Sequence, residues 1–124
     1  MAATINYQFL LAVSGGPSVT ASGKISTDSY EFVQVTVDAL ATGMKVELDI
    51  NDKVDMVILR ADKYDDLSYM KTPEGSKVPI TGPLILIGSG AVGLLGTSVA
   101  SILLINAGAT AREITILISR DSTP

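Results

Sequence analysis

One long stretch of the sequence lacks any charged side chain: none occurs between Lys77 and Arg112. Inside it, Gly88-Ser89-Gly90-Ala91-Val92-Gly93 fits the pattern G-x-G-x-x-G directly after the apolar run Leu84–Ile87. Three structures are compatible with these residues: a nucleotide-binding turn, a transmembrane helix, or two buried strands joined by a glycine loop. Each predicts a different fold, so this stretch constrains the chain more than any other.

The nucleotide-binding interpretation takes Leu84–Ile87 as a first strand and Val92–Ala107 as the helix that holds a pyrophosphate. Two observations count against it. The preceding residues alternate as antiparallel strands do, without intervening helices. The proposed helix is rich in glycine, threonine and β-branched residues, which are poor helix formers, and it has no polar face.

The transmembrane interpretation rests on length, since about 24 uncharged residues could cross a bilayer. However, these 24 residues, Pro83–Asn106, include Asn106 and four glycines, and no cluster of Lys or Arg flanks them. We therefore favour two strands, Leu84–Ile87 and Val99–Ile105, as the most buried strands of the fold. In this interpretation the Gly88–Ser98 segment is a loop, and a hairpin joins residues 98–106 to 112–119 across the turn Ala107–Ala111.

The rest of the chain shows the two-residue periodicity of strands. In Met44–Ile50, apolar residues alternate with Lys45, Glu47 and Asp49, so that one face meets a core and the other meets water. Similar short segments recur about every 10 residues, separated by turn signals. They are residues 4–13, 19–25, 30–38, 54–60 and 67–71. The sequence thus predicts an all-β protein, an antiparallel β-sandwich or jelly roll of about eight strands in a single domain over residues 1–124.

The composition favours a subunit of an assembly. Hydrophobic residues make up 47% of the chain and charged residues 18%, below the roughly 25% of an ordinary soluble domain. The mean hydropathy is +0.40, which is high for a chain whose surface meets only water. The net charge of −4, with Lys and Arg scattered singly, argues against a nucleic-acid partner.

The composition also narrows the chemistry. The chain has no Cys and no His, so thiolate and imidazole nucleophiles, bases and metal ligands are excluded. No G-x-S-x-G motif occurs, and there is no Trp to stack on a sugar. We therefore expect no enzyme, no cofactor and no metal. The first residues lack the basic start and apolar core of a signal peptide, which predicts cytoplasmic synthesis and no membrane partner.

One acidic turn leaves a second function open. Asp49, Asn51, Asp52 and Asp55 cluster around a short connection, and carboxylate and amide oxygens are ligands for calcium. Their spacing differs from a calcium loop, because Lys53 occupies a ligand position and no glycine or terminal Glu follows. A solvated turn is the favoured interpretation. A jelly-roll module that binds a sugar or calcium is the alternative function.

Five apolar and aromatic residues are the candidate subunit contacts. Val92, Leu94 and Leu95 lie in the glycine loop, and an apolar loop on such a domain is a natural contact with a neighbouring subunit. Tyr64 lies within an acidic loop at residues 61–66, which would form a polar rim, and Tyr69 follows that loop. The expected partners are copies of the same chain.

The last third of the chain, Gly82–Leu95 followed by Ile114–Asp121, resembles the closing strands of small accessory virion proteins of tailed bacteriophages. These are capsid decoration, or cement, proteins and related small tail and fibre subunits, often built as jelly rolls. The resemblance implies a non-enzymatic virion protein, assembled in the host cytoplasm. It also implies a symmetric oligomer such as a trimer, bound to a major capsid or other virion protein. It carries no diagnostic motif and assigns no functional residue.

Overall fold

The computed structural model describes residues 3–27, 29–51, 53–71, 75–96 and 99–120. Asp52 of the acidic turn and residues 97–98 of the glycine loop lie outside them. The described chain is all-β, as predicted, and its single helix has four residues. The elements are β1 (Ala3–Ala12), β2 (Ser18–Thr27), β3 (Ser29–Val37), β4 (Met44–Ile50), β5 (Val54–Ala61), β6 (Leu67–Met70), β7 (Val78–Pro79), β8 (Leu84–Ile87), α1 (Ser89–Val92), β9 (Val99–Asn106) and β10 (Arg112–Arg120).

Strands β3 to β10 form a sandwich of two four-stranded antiparallel sheets. The strand order is β3-β10-β5-β8 in one sheet and β4-β9-β6-β7 in the other. Strand β3 pairs with β10, β4 with β9, β5 with β8 and β6 with β7. These nested antiparallel pairs, rolled into two sheets, are the arrangement of a jelly roll. The predicted fold class is therefore confirmed.

The core lies between the two sheets and is built by the alternation visible in the sequence. In β4, residues Val46, Leu48 and Ile50 are buried, while Lys45, Glu47 and Asp49 are exposed. In the first sheet the inward residues of neighbouring strands stand opposite one another, with Ile116 between Val33 and Leu59. The fully buried side chains of the core include Val37, Leu104, Ile114, Ile116 and Ile118.

The predicted hairpin between residues 98–106 and 112–119 is wrong. Strand β9 pairs with β4 and β6, whereas β10 pairs with β3 and β5 in the opposite sheet. The Ala107–Ala111 turn therefore crosses from one sheet to the other, as does the connection from β4 to β5. Both strands present apolar residues to the same core, so their alternation looks the same whether they pair or face each other.

Strand β8 is also placed differently from the prediction. It lies at the edge of its sheet beside β5, and Ile85 is 39% exposed, so β8 is not among the most buried strands. The following glycine segment begins with the one-turn helix α1, which packs against β5 and β8. Residues 99–106, which the nucleotide-binding interpretation takes as part of a helix, form strand β9, and this excludes that interpretation. No helix of the described chain is long and apolar enough to cross a membrane.

Strands β1 and β2 lie outside the sandwich. They pair only with each other, as a two-stranded antiparallel sheet. The eight strands of the jelly roll therefore all lie within residues 29–120, and the prediction that the segments at 4–13 and 19–25 belong to the sandwich is wrong. This hairpin is the feature of the fold with the clearest bearing on function.

Candidate assembly surfaces

The β1–β2 hairpin has one apolar face and one polar face. Its register sets Ile5 opposite Ile25, Phe9 opposite Ala21 and Leu11 opposite Val19. Successive residues of a strand point to opposite faces, so all of these lie on one face. The other face is mostly polar and carries Asn6, Gln8 and Thr20, together with Thr4, Ser18, Ser22, Lys24 and Ser26; its one large apolar side chain is Leu10, which is 67% exposed. We call the first of these the arm face: Ile5, Tyr7, Phe9, Leu11, Val19, Ala21, Gly23 and Ile25.

Two aromatic rings fill the middle of the arm face. The ring centroids of Tyr7 and Phe9 lie 5.9 Å apart, with the planes inclined at 40°. Opposite Tyr7 stands Gly23, and a Cβ atom there would lie 2.5 Å from the Tyr7 hydroxyl oxygen. The ring therefore lies across the glycine backbone, an arrangement that compensates for the missing side chain in a strand. At the tip, Gly15 adopts a φ of +71°, a conformation that glycine favours.

No described residue of the hairpin belongs to the apolar core of the jelly roll. Leu11 and Val19, near the tip of the arm face, are 69% and 65% exposed. A lone two-stranded hairpin is marginally stable at best in water and needs a further layer against its apolar face. The arm face therefore lacks the packing partner that its composition requires.

A second apolar surface lies on the outer side of the sheet β3-β10-β5-β8. Phe32 stands directly opposite Leu117, Leu117 opposite Ile58, and Ile58 opposite Ile85. The alternating inward residues form the core, so this row points away from it. Phe32 is 60% exposed and Tyr30, on the same side of β3, is 58% exposed. We call the row Phe32, Leu117, Ile58 and Ile85, together with Tyr30, the sheet face.

The sheet face differs from an ordinary solvent-facing sheet. In an antiparallel sandwich the outer side is normally polar, as it is on β4 of the opposite sheet. There Lys45 and Glu47 project outward and form an exposed ion pair with a nitrogen–oxygen distance of 3.3 Å. Uninterrupted apolar residues across four strands instead indicate a position for a third layer.

The five predicted contact residues fall into three groups by exposure. Leu94 is 82% exposed, so it is available to a neighbour. Val92 and Leu95 are buried in the chain's own core. Tyr64 and Tyr69 are half-buried and pack against the core; the backbone N–H of Ala61 donates to the Tyr64 hydroxyl at 3.3 Å. Burial raises the pKa of the Tyr69 phenol above its ordinary value.

The described residues of the acidic turn have partners within the chain. The Asn51 side-chain oxygen accepts from the Lys53 backbone N–H at 2.8 Å, and the Asp55 carboxylate accepts from the Ser119 hydroxyl. The Asp49 carbonyl accepts from the Arg120 guanidinium at 2.6 Å. In the described ranges, no three acidic side chains come together as a metal site would require.

Comparison of the chain with protein-family models, curated proteins and solved structures finds no match. The two apolar surfaces are therefore the features of the chain that bear most directly on its function. Sequence reasoning read residues 4–13 as a strand of the sandwich and so missed the arm face. Part of the signal was nevertheless present: Ile5, Tyr7 and Phe9 alternate with Asn6 and Gln8, although Leu10 interrupts the pattern.

Proposed function

We propose that the protein is a non-enzymatic structural subunit that acts by assembling with copies of itself and with a larger shell. The observation that carries the proposal is the arm face. It is the apolar side of two paired strands of 10 residues each, and it does not belong to the core of the chain. Such a face is stable only when another surface covers it. Surfaces that are buried against another subunit also account for the high apolar fraction of the chain.

A virion is the setting that we propose, with the protein acting as a capsid decoration or cement protein of a tailed bacteriophage. The general resemblance of the last third of the chain supports this setting, and the jelly roll is compatible with it. Jelly rolls also occur in lectins and cupins, so the fold alone does not select a function. The uncovered hairpin favours assembly over the binding of a sugar or calcium. A terminase, portal or major capsid gene beside the coding sequence would support the virion setting.

Light scattering of the purified protein tests the assembly function. We expect a mass of at least two chains, because burial of the exposed apolar side chains of the arm face stabilises association by roughly 25 cal/mol for each Å² removed from water. The expected mass is insensitive to EDTA. A mass of one chain at millimolar concentration would contradict the proposed function.

A further inference from the structure

We infer that the arm face of one copy packs on the sheet face of a second copy, so that each chain donates one hairpin and accepts another. The inference rests on the proposed function, and it names the partner and both contacting surfaces. Its starting point is that the chain carries two apolar sheet surfaces outside its own core, one on the hairpin and one on its body. Leu11, Val19, Tyr30, Phe32 and Ile85 are exposed on them, and the other large apolar members are half-buried. Together they supply both halves of a sheet-on-sheet contact.

The connection between the hairpin and the body prevents the arm from covering its own sheet. Strand β2 ends at Thr27 and β3 begins at Ser29. Two Cα-to-Cα steps span at most about 7 Å, whereas packed sheets stand about 10 Å apart. Strand β2, which leads into β3, therefore cannot turn back over the same sheet unless its last residues give up their pairing with β1. A second copy can receive it without any such change.

The two surfaces match in charge. Lys24, on the polar face, is the only charged residue of the hairpin segment 3–27. The row Phe32, Leu117, Ile58 and Ile85 contains no charge either. Contact confined to this row buries no unpaired ion. Arg60, two residues from Ile58 on the same side of β5, is exposed and borders the row.

The row sets the size of the contact. It spans about 14 Å across four strands, whereas Ile5 to Leu11 spans about 20 Å along the arm. Over the roughly 10 Å width of a two-stranded arm the overlap is about 140 Å². Two such contacts would bury roughly 560 Å² in total, an area typical of weak association.

Single charged substitutions test each surface separately. Leu11→Lys on the arm face and Phe32→Lys on the sheet face should each weaken self-association at least about a hundredfold, because each places a lysine in an apolar contact. Leu94→Lys is the matched control, since Leu94 is more exposed than either and lies on neither surface. The measurement is sedimentation equilibrium, with circular dichroism melting to confirm that every variant is folded.

The outcomes separate the inference from the proposed function. If the wild type assembles and neither Leu11→Lys nor Phe32→Lys weakens it, the inference is overturned and the assembly function stands. Loss of assembly in Leu94→Lys alone would also overturn it and would assign the contact to the glycine loop. A wild type with the mass of one chain would overturn both.

Cross-linking between copies identifies the occupant directly, and the absence of native cysteine removes any background. One tagged copy carries Ala21→Cys on the arm face, and a second, untagged copy carries Gln34→Cys, two residues from Phe32 on the same side of β3. With a bismaleimide of about 10 Å, the spacing of packed sheets, we expect a dimer of tagged and untagged chains. In the control, Ser22→Cys on the polar face replaces Ala21→Cys. The yield of the dimer of tagged and untagged chains should then be at least about tenfold lower. Equal yields would contradict the inference.

Discussion

Ile116→Ala should lower the free energy of unfolding by about 4 kcal/mol, because it leaves a cavity in a core that is buried from both sides. Ile116 is fully buried on β10, the strand that pairs with both β3 and β5. It stands opposite Val33 and Leu59, whose side chains cannot close the space without moving two neighbouring strands.

Urea unfolding followed by circular dichroism measures this change, at one protein concentration for all variants because assembly raises apparent stability. Ile85→Ala is the matched control: it removes the same atoms from a side chain that is 39% exposed on the edge strand β8. We expect the control to cost about 1 kcal/mol or less. Equal losses at the two positions would contradict the assignment of the inner and outer sides of this sheet.

Asn106→Ala should lower the free energy of unfolding by about 2–4 kcal/mol, because it removes the partner of several backbone groups at once. The side chain is fully buried at the end of β9. Its amide nitrogen lies 2.8 Å from the carbonyl oxygen of Thr110 and 3.2 Å from that of Asp38. Its oxygen accepts from the Gly108 backbone N–H at 3.0 Å. The residue thus fixes the crossover from β9 to β10 against the end of β3.

Asn51→Ala provides the comparison for this effect. The Asn51 side-chain oxygen also accepts from a backbone N–H two residues later, but that bond is exposed, so water replaces it. We therefore expect Asn51→Ala to lower the free energy of unfolding by less than about 1 kcal/mol. Thermal and urea unfolding should show a clearly larger loss of stability for Asn106→Ala than for Asn51→Ala. Similar losses in the two variants would show that the buried amide does not hold the crossover in place.

The strands were largely predictable because half-buried strands carry their own signal. The alternation of Met44–Ile50 and Tyr30–Asp38 follows from one face meeting the core. The pairing of strands was not predictable in the same way. Strands β9 and β10 have apolar faces that would suit a hairpin equally well, and the buried Asn106 that directs the crossover is a single residue without a pattern.

The candidate surfaces were harder to predict than the fold. Alternation shows that Ile5, Tyr7 and Phe9 share a face, but it does not show whether the chain's own core covers that face. The glycine loop drew attention through its composition, yet the core takes up Val92 and Leu95 and leaves Leu94 exposed. The row across the sheet face depends on the register of four strands that are distant in sequence, which no local pattern encodes.

Hydrogen–deuterium exchange at increasing protein concentration tests most directly the claim that the hairpin is an assembly element. In a single chain the cross-strand amides of β1 and β2 have no core to protect them and should exchange rapidly. We predict that their protection rises with concentration as copies associate, while the amides of β10 keep the same strong protection throughout. Protection of β1 and β2 that does not change with concentration would contradict the account.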